Sequence, residues 1–305
     1  MTRLVVRLAG VAAVVVGATA SAWLLVHVLR PASFASEHGA LPVRLWKFLD
    51  RAFLHFDFGM STGLPRLPVS TLIRQGVPAD VSLLAGGLAF GLAAGVGVAL
   101  LCARRPRGLA ARALQTVAMV AFCAPVYVVG LGSLLLFGAD IGVLGLGFGI
   151  PLDYVPFSEN PLGWLGALLA PSIVLGLPLA GMVTRVMLGQ IVEIAGEEYV
   201  RAARAKGLSE RAILRRHIVR PALAPTAMLA SAATPLMITN LVLVEQVFSV
   251  PGVFRDFTRA IGTANYPLIF GATAVGAVLI GLTTLVFDVL LHRLDPRVRT
   301  GGGEI

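Results

Sequence analysis

The sequence predicts an all-α membrane protein with six transmembrane helices, and three observations predict it. Of 305 residues, 57% are apolar and 13% are charged, with a mean hydropathy of +0.85; soluble domains carry about 25% charged residues. The apolar residues stand in blocks of twenty or more, without the alternation of half-buried elements. The basic residues are concentrated in alternate intervals between those blocks.

A crossing needs about 20 apolar residues, because the hydrocarbon layer is roughly 30 Å thick and a helix rises about 1.5 Å per residue. Six blocks qualify: 8–29, 80–103, 113–137, 164–187, 224–246 and 267–291. The first follows Arg3 and Arg7 and contains Ala18-Thr19-Ala20, the outline of a signal peptide. Its apolar run continues through Trp23, Leu24, Leu25 and Val26, beyond a typical h-region, and so reads as a retained helix.

Orientation follows from charge. Seventeen of the 25 Lys and Arg fall in the N-terminus, the 104–112 loop, the 185–222 region and the tail, and six of the others lie in the long 30–78 loop. The positive-inside rule then places both termini in the cytoplasm and 30–78 outside it. That outer loop mixes Phe34, Trp46, Phe48, Phe53, Phe56 and Phe58 with charges, the composition of one or two interfacial helices. Loop 138–163 has no Lys or Arg, and its GVLGLGFG run, with no strand before it and no basic residue after it, reads as a tight apolar turn. No repeat or linker divides the chain, so residues 1–305 are expected to form a single membrane domain.

Within the spans, Gly87, Gly91 and Gly95 recur every fourth residue and open one helix face to close approach. Pro125, Pro171, Pro178 and Pro235 stand where a missing N–H bends or starts a helix. No charged residue is expected near a midplane; Glu245 and Asp288 fall close to opposite surfaces. Carriers coupled to ions or protons usually bury carboxylates or histidines there, so an ion-coupled secondary transporter is the weaker alternative. Ser231, Thr234, Thr239 and Asn240 are the candidate pathway-lining residues.

A net charge of +9 would suggest nucleic acid in a soluble chain; here the lipid bilayer accounts for its placement, and no nucleic acid partner is expected. Cys102 and Cys123 lie in apolar blocks and form neither a disulfide framework nor a metal site. No nucleophile elbow, HExxH pair, CxxC or phosphate loop occurs, and His27, His38, His55, His217 and His292 are scattered, which suits polar surface or interface roles. The chain reads as non-catalytic, without cofactor or metal. If ATP drives it, another chain binds the ATP.

The most informative segment is residues 197–223, EEYVRAARAKGLSERAILRRHIVRPAL, in the 188–223 loop. Glu197 and Glu198 suit the first turn of a helix, Lys206 the last, and Gly207 its termination. Ser209 can cap a second helix with Ile213, Leu214, His217 and Ile218 on one face. Ala202, Ala203 and Ala205 are small enough to seat the first helix in a groove of another protein, with Tyr199 as anchor and Arg201, Arg204 and Lys206 meeting acidic groups at the rim.

At EYVRAARAKGL the sequence resembles the cytoplasmic EAA motif of permease subunits of binding-protein-dependent ABC importers, in the dipeptide, oligopeptide and nickel branch, where it typically reads close to DYVRTARAKGL. EQVFSVPGVFRDFTRAI with NYPLIFG, FDVLLHRLDPRVR at 287–299 and PVSTLIRQGVPADVSLL at 68–84 are similar to further segments of that family. After the first span, where these permeases usually carry Pro-Gly-Asp-Pro, this chain has Arg30-Pro31-Ala32-Ser33. The resemblance implies a type I ABC importer permease in a bacterial inner or plasma membrane. It further implies a second homologous permease as heterodimer partner, ABC ATPase subunits and an extracytoplasmic substrate-binding protein. Cargo would be di- or oligopeptides, or alternatively nickel or another small solute. Glu198 through Gly207 (Glu198, Tyr199, Arg201, Ala202, Ala203, Arg204, Ala205, Lys206, Gly207) would form the ATPase-coupling helix.

Overall fold

The computed structural model describes residues 2–34, 39–63, 66–105, 108–138 and 154–294. His38, the glycine-rich run of loop 138–163 and residues 295–299 of the closing segment lie outside the described residues. Among the described residues the chain is helical: α1 (Thr2–Leu29), α2 (Leu41–Leu54), α3 (Val69–Ala103), α4 (Leu109–Cys123), α5 (Val126–Phe137), α6 (Pro161–Ala195), α7 (Glu198–Ala205), α8 (Glu210–Ile213), α9 (Arg220–Val247), α10 (Phe257–Gly262) and α11 (Tyr266–Leu294). A π-helical stretch, Leu214–Val219, joins α8 to α9.

Among the described residues five helices are long and apolar enough to cross a membrane: α1, α3, α6, the 210–247 helix containing α9, and α11. The block expected at 113–137 is not one straight rod. It is broken into α4 and α5, bent by 108°. Pro125 has no N–H to continue the ladder, and Ala124 before it takes an extended ψ of 129°. If this pair makes one crossing the spans number six. Pro171 and Pro178, by contrast, lie inside an unbroken α6. That helix starts where Asn160 accepts hydrogen bonds from the amides of Leu162 (3.1 Å) and Gly163 (3.0 Å).

The chain gathers into two compact units, with α3, α9 and α11 contributing to both. The first comprises Met1–Ser82, Leu152–Tyr154 and Ile238–Leu282. There the 30–78 loop carries the helix α2, whose Phe48 stacks on Trp23 (6.0 Å between centroids) and meets Phe270 edge-on at 5.3 Å. His27, expected in a polar surface or interface role, is buried and stacked on Trp23, its Nδ1 2.9 Å from the Trp23 carbonyl. Asn265 ties the 61–62 turn by donating to Ser61 Oγ (2.8 Å) and accepting from the Thr62 amide (3.2 Å).

The second unit comprises Leu83–Pro151, Val155–Met237 and Thr283–Ile305. In it α3 packs closely on α6, and the glycine stripe allows the approach. A methyl group at Gly91 would stand 2.8 Å from Leu179 Cδ2, and one at Gly95 2.6 Å from Val183 Cβ and 2.8 Å from the Ala180 carbonyl oxygen. The bare backbones let Thr184 donate to the carbonyls of both Gly95 (3.2 Å) and Ala180 (2.8 Å), a close-approach packing characteristic of membrane helices.

Candidate functional site

Residues 196–219 form a small platform. Glu198 lies in the first turn of α7 and Arg204 in the last, each facing the favourable end of the helix dipole. The helix ends at Gly207, whose φ of +77° is costly for a side-chain-bearing residue. The Gly207 amide donates to the Arg204 carbonyl (2.9 Å) and the Leu208 amide to the Ala203 carbonyl (3.4 Å), the two bonds of a Schellman stop. Ser209 then caps α8 by accepting from the Ala212 amide (3.4 Å), and Arg204 pairs with Glu210 at 2.8 Å. The turn signals read from the sequence are thus realised.

One face of α7 is committed to its own chain. Val200 and Ala203 are buried with Met187, Ile191, Ile213, Ile218 and Ala222 in one apolar cluster. Ala203 is therefore not available to a partner's groove, contrary to the expectation: a short helix needs an anchoring face, and this alanine belongs to it. Arg201, Ala202, Ala205, Lys206 and Gly207 are exposed on the rest of the helix and its end, as are Glu198 and Arg204. Tyr199 is half exposed and donates its hydroxyl to the His217 carbonyl at 3.0 Å. Pro221, four residues after His217, has no N–H to give that carbonyl, so the tyrosine supplies the donor.

The four candidate pathway residues differ in exposure. Thr234 has no exposed area and donates to the Ala230 carbonyl (3.4 Å); Ser231 and Asn240 are partly buried and Thr239 is exposed. A recess of about 700 Å³ lies in the second unit, lined by Met119, Phe122, Met182, Leu229 and Gln115, with Arg185 as the one charged lining residue among the described residues. Arg185 sits ten residues before the end of α6 and points Nη1 at Met119 Sδ, 3.9 Å away.

Sequence reasoning missed a buried acidic pair in the first unit. Asp80 and Glu245 have no exposed area. Asp80 accepts the Val253 amide on both oxygens (3.0 and 3.3 Å), and any side chain on Gly252 would run into both carboxyl groups. The Val-Pro-Gly-Val turn after α9 signals only a turn in sequence; that it folds back over two acids is a tertiary fact.

A family described as binding-protein-dependent transport system inner membrane component matches residues 95–300, more than half of the chain. The chain belongs to that family. It is a multi-pass permease component of a binding-protein-dependent ABC importer, a class that works with ATPase and substrate-binding partners. The permease is 30% identical over 258 residues to a putative peptide transport system permease protein of Brucella abortus, covering 84% of this chain and 80% of the relative. It is 31% identical over 243 residues to the dipeptide transport system permease protein DppB of Lactococcus lactis, covering 80% and 76%. With the oligopeptide transport system permease protein OppB of Mycobacterium tuberculosis it shares 30% over 255 residues, again covering 80% and 76%. Its fold is similar to a chain of a bacterial alginate ABC transporter in complex with a pentasaccharide-bound periplasmic protein (TM-score 0.53, 19% identity, 91% of this chain and 96% of that one). A second alginate importer structure gives a TM-score of 0.51 at 20% identity, covering 92% and 96%.

Proposed function

We propose that this permease forms half of a translocation pathway for di- or oligopeptides, paired with a second homologous permease, and that it is driven by ATPase subunits engaging the 197–220 loop. The observation that carries the coupling role is α7: a short helix fixed on one side by Val200 and Ala203, with Arg201, Ala202 and Ala205 left exposed. Such a helix transmits force, because displacement of its outer face moves the cluster holding α6 through Met187 and Ile191 and α9 through Ala222. ATP closure of the partner subunits pulls α7, and the attached spans tilt to alternate access. The permease performs no chemistry itself.

The peptide assignment rests on the named relatives, and the Arg185 recess supplies a wall on which a polar backbone and a carboxylate find partners. The whole chain acts as one membrane domain with both termini and the 188–223 loop in the cytoplasm and 30–78 outside, supported by the division of basic residues.

The test is site-directed cross-linking in a chain carrying Cys102→Ser and Cys123→Ser. Ala202→Cys should cross-link to the ATPase subunit, and Ala40→Cys but not Glu210→Cys should react with an impermeant thiol reagent outside intact cells. Labelling of Glu210→Cys from outside contradicts both the orientation and the coupling role.

A further inference from the structure

A second recess, of about 470 Å³, opens beside α7. Its rim carries Arg216, His217, Arg220 and Tyr199, and its floor is Pro221, Ala224 and Leu294. Among the described residues no acidic side chain lines it. Glu210, the acid within the 199–220 run, is occupied by Arg204 at 2.8 Å. The recess therefore offers two guanidinium groups over an apolar base.

Position decides what fits. Ala224 is the first residue of one apolar block, and Leu294 stands three residues past the end of another, 267–291. The floor thus lies where two spans leave the hydrocarbon, at headgroup depth. Arg216 and Arg220, about one helical turn apart and both exposed, have long side chains that can keep an apolar stem beside that floor and a charged head in the polar layer. A guanidinium fork matches phosphate oxygens in geometry and charge, and basic pockets between helices at the cytoplasmic surface suit anionic headgroups.

We infer that this recess binds the phosphodiester group of an anionic phospholipid, with Arg216 and Arg220 as the phosphate ligands and Pro221, Ala224 and Leu294 beneath the glycerol and upper acyl region. The leaflet follows from the orientation proposed above. An acidic side chain of an ATPase would satisfy the rim but not the apolar floor at membrane depth. Because Tyr199 belongs both to α7 and to the rim, bound lipid bears directly on the coupling element.

The test uses the assembled complex in nanodiscs of phosphatidylcholine with a minor fraction of phosphatidylglycerol, with retained lipid counted by native mass spectrometry. The wild-type complex should retain phosphatidylglycerol in preference. Arg216→Gln with Arg220→Gln should weaken retention roughly thirtyfold, the scale for two arginines at an anionic surface. The charge-matched control Arg211→Gln with Arg215→Gln should change it little. Equal losses in both pairs mean diffuse attraction and overturn the site. Displacement of the lipid by millimolar inorganic phosphate assigns the rim to free phosphate and overturns the lipid. Increased retention on Asp295→Asn with Glu304→Gln makes the chain's own tail the occupant, which also overturns it.

Discussion

The Tyr199 hydroxyl donates to the backbone carbonyl of His217 at 3.0 Å, pinning α7 to the π-helical stretch that leads into α9. Pro221 cannot supply the usual i+4 donor for that carbonyl, so a proline within one helix leaves an attachment point for another. Tyr199→Phe removes a single hydrogen bond worth about 1 kcal/mol at a half-exposed site. Insertion and assembly with the ATPases should be normal, with peptide uptake reduced several-fold. Unchanged uptake in membrane vesicles would show that the pin carries no coupling.

Gly207 distinguishes conformation from size. A Cβ there meets nothing within 4 Å, yet φ is +77°. Gly207→Val should lose uptake and co-purification with the ATPases, since a β-branched residue is strained in this region by about 1–2 kcal/mol or more. Gly207→Asn, which tolerates left-handed backbone, should retain most of both. Equal behaviour of the two variants contradicts the helix-stop account.

Ala202 and Ala203 are adjacent and should fail differently. Ala203→Glu drives a carboxylate into the cluster with Val200, Met187 and Ile213, at a cost of several kcal/mol, and should lower the yield of folded protein. Ala202→Glu stands on the exposed face and should fold at wild-type yield while losing ATPase association. Size-exclusion profiles and pull-down separate the two defects.

The α3–α6 contact predicts a similar contrast. Gly95→Ala places a methyl 2.6 Å from Val183 Cβ and 2.8 Å from the Ala180 carbonyl, an overpacking that costs about 1–3 kcal/mol. Gly97→Ala, with nothing within 4 Å of its new methyl, should be neutral or slightly stabilising. Thermal unfolding in detergent should rank Gly95→Ala below wild type and Gly97→Ala level with it or above.

These contrasts mark where the sequence was legible. The stripe Gly87, Gly91, Gly95 announced a close helix contact because its period is a helix period. Gly207 and Ser209 announced a stop and a cap because both act within a few residues of chain. What stayed hidden depends on partners distant in sequence. Ala203 looked like its neighbours Ala202 and Ala205 until Ile213 and Met187 were brought against it. Asp80 and Glu245, separated by most of the chain, gave no sign of meeting over Gly252. Pro125 was visible as a bend, but nothing in its neighbourhood fixed the angle at 108°.

The central claim is that this permease is a pathway and a lever moved by partner ATPases, and stepwise reconstitution into proteoliposomes tests it most directly. ATP hydrolysis and accumulation of labelled peptide are measured for this chain alone, with its second permease, with the ATPases, and with loaded binding protein added outside. The account predicts no accumulation, with or without a proton or sodium gradient, until all partners are present, and then hydrolysis that rises on addition of loaded binding protein. Gradient-driven accumulation by this chain alone would contradict it.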